Sequence, residues 1–213
     1  MDFDWKRLNK EEGDAVMANI QSPAFDELFK NDSSVEINVT RLPFYNHFKL
    51  YRFTTYATMP SLSIEFLGDG TIFYYLDKTP DPIYYANLKD PIQLSKRNVL
   101  EYLDFFFTRV ESDEGDIELI LDPQTSPHLD AATIETKEKI LKRYDGLRVD
   151  YELNPECFLV TTPCYFEGTL VEAKIAILPN GGLTLIDHQM LFGLGVFDFD
   201  LTEDYGTDSY YNI

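Results

Sequence analysis

The sequence is poor in basic residues and in cysteine. It has 18 Lys and Arg against 37 Asp and Glu, which gives a formal net charge of −19. Because phosphate backbones and anionic membranes are bound through Lys and Arg, we expect neither nucleic acid nor a membrane as a partner. The only cysteines, Cys157 and Cys164, are too few for a disulfide framework. Such scarcity is typical of a reducing compartment.

Long apolar runs are also missing. No stretch approaches the roughly 20 residues of a membrane span, and residues 1–9 lack the apolar core of a signal peptide. We therefore expect a cytoplasmic protein. Hydrophobic residues still make up 44% of the chain and aromatic residues 15%. This composition favours a folded domain with a ring-rich core over a disordered chain.

The acidic charge is concentrated late in the chain. Residues 112–213 contain 20 acidic and 6 basic side chains, whereas residues 1–111 are closer to neutral. One interpretation is a basic partner protein. The other is that the charge serves solubility or adaptation to salt, since net charge acts on solubility before it acts on function.

The stretch at residues 95–110 predicts an unusually apolar helix. At 100° per residue, Val99, Leu103 and Phe106 fall on one third of its circumference, and Phe105 stands outside that arc. A helix with apolar residues on so much of its surface is expected to pack on more than one side. We therefore place it at the centre of the fold.

Similar patterns precede and follow this helix. On each side a helical pattern is followed by four strand patterns, which predicts an α+β fold of two α-β-β-β-β units, with antiparallel sheets packed around the central helix. Such runs also arise in α+β domains without any internal repeat. The predicted helices are 10–30 and 131–144, and the predicted strands are 35–41, 48–58, 62–67, 71–76, 147–153, 157–165, 170–178 and 183–187.

The expected organisation is one domain over residues 1–190, followed by an acidic aromatic tail over residues 191–213. The two similar halves are residues 1–94 and 122–190, joined by the central helix and a short strand over residues 95–121. Residues 78–94 are predicted as a loop, because Pro80, Pro82 and Pro91 interrupt any regular pattern there.

One segment resembles a known group of proteins. Pro82-Ile83-Tyr84-Tyr85, leading into the run from Asn98 to Phe106, resembles a segment of an uncharacterised bacterial protein family. The resemblance covers about an eighth of the chain. It implies no activity and no site residue, because no function is attached to that family.

No set of residues predicts a catalytic or metal site. His47, His128 and His188 are far apart, and neither H-x-x-x-H nor C-x-x-C occurs. A zinc site formed by both cysteines and one histidine is left open as an alternative, as is a thiol enzyme using Cys164 with His188. Adjacent strand residues face opposite sides, so Asp187 is poorly placed to orient His188. We predict no catalytic residue, no metal and no cofactor.

The favoured function is a non-enzymatic, acidic protein-binding module of the adaptor, chaperone or inhibitor type. Exposed aromatic residues are the expected contacts with a basic partner. The alternatives are a small-ligand binder or carboxylate-based enzyme with a cleft between the two halves, and a self-associating structural protein. The oligomeric state is left open. The candidate partner-binding residues are Tyr84, Tyr85, Phe105, Phe199 and Tyr205.

Overall fold

A computed structural model describes most of the chain as two compact units. The units are Met1–Gln93 and Leu94–Ile213. Two antiparallel sheets and a few helices confirm the predicted α+β class. Within the described ranges, no helix is both long enough and apolar enough to cross a membrane. The described residues are 3–29, 35–111, 117–120, 122, 124, 126–130, 133–143, 148–153, 156–166 and 169–193.

The first unit contains a five-stranded sheet whose strands pair in chain order. Val35, Ile37 and Val39 alternate with polar residues, as a strand with one buried face requires. Phe53 pairs with Ile37 on one side and with Ile64 on the other, so these three side chains share the core face. The strands are β1 (Lys6–Arg7), β2 (Glu36–Arg41), β3 (Lys49–Thr55), β4 (Leu62–Gly68) and β5 (Phe73–Tyr75).

Helices α1 (Lys10–Met17) and α2 (Pro23–Phe29) precede the meander β2 to β5. The predicted capping box starts α1: Asn9 accepts from the Glu12 N–H, and the Glu12 carboxylate accepts from the Asn9 N–H. The helix ends four residues before the predicted end at residue 21.

The core of the first unit is built from aromatic rings. Phe53 is fully buried, and its ring centroid lies 5.3 Å from that of Phe25 and 5.5 Å from that of Phe66, both edge to face. Phe29 stacks on Phe25 at 5.5 Å. Aromatic pairs at these distances add to the free energy gained by burial.

The second unit begins with the helix that was expected to be central. It continues through a second sheet in the order β10-β9-β8-β6, with β7 also paired to β8. Strands β6 and β7 lie on the same edge of β8, because they pair with its opposite ends. The elements are α4 (Val99–Phe107), β6 (Ile117–Leu119), a 3-10 turn (Pro127–Leu129), α5 (Ile134–Arg143), β7 (Arg148–Leu153), β8 (Glu156–Phe166), β9 (Thr169–Ile177) and β10 (Leu183–Gly193).

Helix α4 is buried on several sides. Val99, Tyr102, Leu103, Phe105 and Phe106 are all fully buried. The surface position predicted for Phe105 is therefore wrong, because a helical wheel locates the most apolar face but cannot show that a second face is also covered. The Tyr102 hydroxyl donates to the carbonyl oxygen of Gly181 at 2.8 Å, which satisfies its polar group inside the core.

Two further predictions require correction. The loop expected over residues 78–94 contains helix α3 (Asp81–Lys89). Pro82 lies in the first turn of that helix, where a missing N–H leaves no hydrogen bond unmade. Strand β10 extends six residues beyond the predicted end at residue 187, up to the start of the expected tail.

The remaining predictions of organisation are not tested by the fold. Residues 194–213, which include Phe199 and Tyr205, lie outside the described residues. The grouping of residues 1–190 into one domain of two similar halves stays a prediction.

Candidate functional site

Helix α3 has one buried face and one exposed face. Ile83 and Ala86 are fully buried, whereas Tyr85 is 42% exposed and Leu88 is 72% exposed. Tyr84 is half-buried beside them. Residues three and four apart are neighbours on a helix, so Tyr84, Tyr85 and Leu88 form one continuous surface. We call these three residues the α3 surface.

A tyrosine of the sheet extends this surface. The ring of Tyr74, on β5, lies 6.1 Å from that of Tyr85 and 6.0 Å from that of Phe48. Burial, followed by the nearby charge of Asp69, raises the pKa of Tyr74 above its usual value. The Tyr74 phenol therefore stays protonated at neutral pH and can donate a hydrogen bond.

The end of α3 is anchored by a buried carboxylate. Asp90 is 4% exposed, and its Oδ2 accepts from the backbone N–H groups of His47 at 2.7 Å and Phe48 at 2.8 Å. Its Oδ1 lies 3.1 Å from His47 Nδ1. Burial pushes the Asp90 pKa upward, but these hydrogen bonds and the charge of His47 together hold it below its usual value. The carboxylate therefore stays ionised and clamps the loop before β3 to the helix.

A second buried contact supports the same loop. The Tyr45 hydroxyl donates to Asn87 Oδ1 at 2.5 Å, and the Gln93 N–H donates to the carbonyl oxygen of Phe44 at 2.8 Å. Helix α3 is thus held from beneath along its second half and just beyond its end. A helix fixed in this way presents its outer side chains in one arrangement, which lowers the entropy lost when a partner binds.

A groove in the first unit is the other concave feature considered. It has a volume of about 380 Å³ and lies between α1 and β2. Arg7 forms an ion pair with Glu36 at 3.0 Å on its rim, and Lys10 forms one with Asp14 at 2.8 Å. Its lining residues are Arg7, Leu8, Asn9, Lys10, Gly13, Asp14, Met17, Val35, Glu36 and Ile37.

The outer face of the first sheet carries a stacked arginine. Arg52 donates from Nε and Nη2 to Glu65 Oε1 at 2.9 and 2.7 Å, and its guanidinium carbon lies 4.3 Å from the ring centroid of Trp5. A cation over an indole face is an attractive contact. Trp5 is the single tryptophan of the chain, so its fluorescence reports on this unit.

The cysteines are placed unfavourably for the zinc site and the thiol enzyme that were left open. Cys157 and Cys164 lie seven positions apart on β8, whose register with β9 is unbroken over Phe158–Phe166. Their side chains therefore face opposite sides, and about 23 Å of extended chain separates them. Burial raises the pKa of Cys164 to about 12, so this thiol stays protonated at neutral pH. The two cysteines cannot bind one zinc ion together.

The register also separates Asp187 from His188. Asp187 pairs with Lys174 and His188 pairs with Ala173, so the two side chains face opposite sides of β10. Over the described part of the chain, no three His, Cys, Asp or Glu side chains gather in a way that could hold a metal ion.

Of the five predicted partner-binding residues, the structure brings two together. Tyr84 and Tyr85 lie side by side on α3, and Phe105 is buried in the other unit. Phe199 and Tyr205 lie outside the described residues. Leu88 was missed, although it lies three and four positions after the two tyrosines. That spacing would have indicated it if the segment had been interpreted as a helix.

Comparison of the chain with models of protein families, with curated proteins and with solved structures finds no match.

Proposed function

We propose that this protein is a non-enzymatic protein-binding module of the adaptor, chaperone or inhibitor type, and that the α3 surface contacts its partner. The observation that carries this proposal is the contrast between the two faces of α3. One face is fully buried, and the other exposes a tyrosine and a leucine. Tyrosine is enriched at protein interfaces because its ring supplies contact area while its hydroxyl accommodates water or a hydrogen bond.

The proposed partner is a basic protein. The formal charge of −19 attracts a basic partner over a distance and speeds its encounter with the module. The rings of the α3 surface then supply the short-range contact. Both cysteines are free thiols, which agrees with the cytoplasmic location proposed for the module.

The test is capture of a partner by the full chain, followed by measurement with the purified pair. Replacing Tyr85 and Leu88 together by serine is expected to weaken binding about tenfold or more, since central anchor residues supply most of the binding energy. Raising the salt concentration is expected to slow association, because screening weakens long-range attraction. Affinity and association rate are both measured by surface plasmon resonance.

The matched control is Ile134→Ser. Ile134 is an apolar helix residue, 80% exposed, in the other unit. Its replacement is expected to leave the affinity unchanged. Equal affinities for the control and the double α3 variant would contradict the proposed surface, and a captured partner with net negative charge would contradict the proposed partner class.

The groove between α1 and β2 favours a second candidate function, the binding of a small ligand. Its volume of about 380 Å³ lies within the range typical of ligand sites, and its rim carries charges of both signs. Anilinonaphthalene sulfonate, which has an apolar body and one negative charge, is a suitable probe. Met17→Trp, which narrows the groove, should reduce its binding, and Leu28→Trp, outside the groove, should not. Equal binding to both variants would contradict this candidate.

A further inference from the structure

Strand β10 forms an open edge of the second sheet. It is last in the sheet order and spans Leu183–Gly193, 11 residues. In the described part of the chain it pairs only with β9. Ile186 is 53% exposed and Met190 is 46% exposed, and Asp187 is also exposed. The edge of this sheet is therefore accessible to solvent.

The edges of the first sheet are short by comparison. Strand β1 has two residues and β5 has three, and short edge strands are one way in which proteins avoid unwanted pairing. Strand β10 contains neither Lys, Arg nor Pro, the residues that commonly block an edge. Its pairing with β9 is irregular at Ile186 and Leu191, which leaves a regular segment over Asp187–Met190.

A single carboxylate guards that regular segment. The His188 N–H donates to Asp187 Oδ1 at 2.9 Å, so a side chain of the strand itself occupies one of its main-chain donors. An added strand would need such donors to form a ladder. A neutral segment has nothing to offer the Asp187 carboxylate in exchange. A lysine or arginine offers it an ammonium or guanidinium group.

We propose that the β10 edge binds an extended segment of a basic partner, and that Asp187 selects for a basic residue in it. The basic side chain draws the Asp187 carboxylate onto itself, and the His188 N–H is released to donate to a carbonyl oxygen of the incoming strand. Main-chain hydrogen bonds then supply the affinity, as in other cases of strand addition to a sheet edge. Alternating side chains of the incoming segment meet Asp187 on one face and Met190 on the other.

Charge favours this occupant over a second copy of the chain. The unit that contains β10 has 23 acidic and 9 basic side chains, a net charge of −14. Two such units repel one another, and an edge-to-edge pair of β10 strands would bring two Asp187 carboxylates close together. A basic segment is attracted to the same unit and supplies the missing cation.

The experiment uses the full chain and a short blocked peptide of alternating valine and lysine, labelled for fluorescence anisotropy. The peptide is expected to bind at low salt, and a form N-methylated along one edge is expected to bind about tenfold more weakly because it cannot form the ladder. Peptide binding should slow hydrogen exchange at residues 183–190. Asp187→Asn should weaken binding about threefold, as expected for loss of one cross-strand charge pair. Glu138→Gln, which removes one exposed charge from α5 of the same unit, should have a smaller effect.

Four results would overturn the proposal. The first is failure of the peptide to bind, and the second is equally tight binding of the N-methylated form, which would indicate general charge attraction without a ladder. The third is slow exchange at residues 183–190 before any peptide is added, which would indicate that the edge is already covered. The fourth is self-association that the peptide inhibits, which would make a second copy the occupant. None of these outcomes bears on the α3 surface, which lies in the other unit.

Discussion

The two units follow the same order of elements but use it differently. Each has a short strand, a short helix or turn, a longer helix and a meander of four strands: β2 to β5 in one unit and β7 to β10 in the other. The first short strand extends its sheet beyond β2, whereas the second pairs with β8 beside β7. One sheet therefore ends in very short strands on both sides, and the other ends in a long strand.

Charge and exposed rings are also divided between the units. The first has 14 acidic and 9 basic side chains, a net charge of −5, and it presents the α3 surface. The second has a net charge of −14 and presents the open β10 edge. The sequence interpretation combined charge and rings into one binding surface. The comparison teaches that attraction of a basic partner and close contact with it can reside in different parts of one chain.

The largest expected effect is on the aromatic core of the first unit. Phe53 is fully buried among three other phenylalanine rings. Phe53→Ala removes these contacts and leaves a cavity, so we expect a loss of about 3–5 kcal/mol in the free energy of unfolding. Urea unfolding followed by Trp5 fluorescence measures it, because Trp5 lies in the same unit.

The counterpart in the second unit is Phe106→Ala, also at a fully buried ring. It should leave the transition reported by Trp5 in place while shifting a part of the transition seen by circular dichroism. Equal shifts of the Trp5 transition in both variants would mean that the chain unfolds as one cooperative body, and the comparison of separate units would fail. A loss below about 1 kcal/mol for Phe53→Ala would contradict the role given to the ring cluster.

Next in size is the carboxylate that anchors α3. Asp90→Ala leaves the N–H groups of His47 and Phe48 without their acceptor, and we expect a loss of about 2–3 kcal/mol. Asp90→Asn keeps an acceptor oxygen and should lose less. Urea unfolding at neutral pH measures both. Equal stability of Asp90→Ala and the unaltered protein would show that the carboxylate is not the anchor.

The same carboxylate predicts a dependence on pH. The folded-state pKa of Asp90 lies below the usual 3.8, so the stability it contributes is fully present above that value. It is lost as the pH falls through the lowered pKa. The difference in unfolding free energy between the unaltered protein and Asp90→Asn should therefore be constant near neutral pH and shrink in acid. A difference that grew in acid would give the shift the wrong sign.

Much of this architecture could be predicted from periodicity and turn residues. Alternation around Ile37 located β2, and the turn at residues 68–70 located the hairpin of β4 and β5. Helix α3 was missed because its prolines were counted as breakers without regard to position. Pro82 lies in the first turn and Pro91 beyond the end, where both are compatible with a helix.

The candidate sites could be predicted only in part. Tyr84 and Tyr85 were identified as rings without a core role, but the anchor beneath them joins Asp90 to His47, 43 positions earlier in the chain. Local sequence carries no signal for such a distant hydrogen bond. Phe105 failed for a related reason, because its burial depends on contacts that a single helical pattern does not contain.

The second unit has a neutral counterpart to the Asp90 anchor. Tyr102, on α4, donates its hydroxyl to Gly181 in the turn between β9 and β10. Tyr102→Phe keeps the ring and removes one buried hydrogen bond, so we expect a loss of about 1 kcal/mol, measured by urea unfolding followed by circular dichroism. Because no carboxylate is involved, this loss should be the same at pH 7 and in acid. A loss that shrank in acid, as at Asp90, would remove the distinction between the two anchors.

The smallest expected effect on stability, and the clearest on association, is at the open edge. Asp187→Ala removes the acceptor that occupies the His188 N–H and should change the unfolding free energy by no more than about 0.5 kcal/mol. It also removes the charge that guards β10 and exposes a flat apolar edge, which promotes pairing between chains. We expect sedimentation velocity to show more concentration-dependent association than for the unaltered protein. Glu138→Ala, which removes one charge from an exposed face of α5, should not have this effect. Identical sedimentation of the two variants would mean that the irregular pairing at Ile186 and Leu191 protects the edge without help from Asp187.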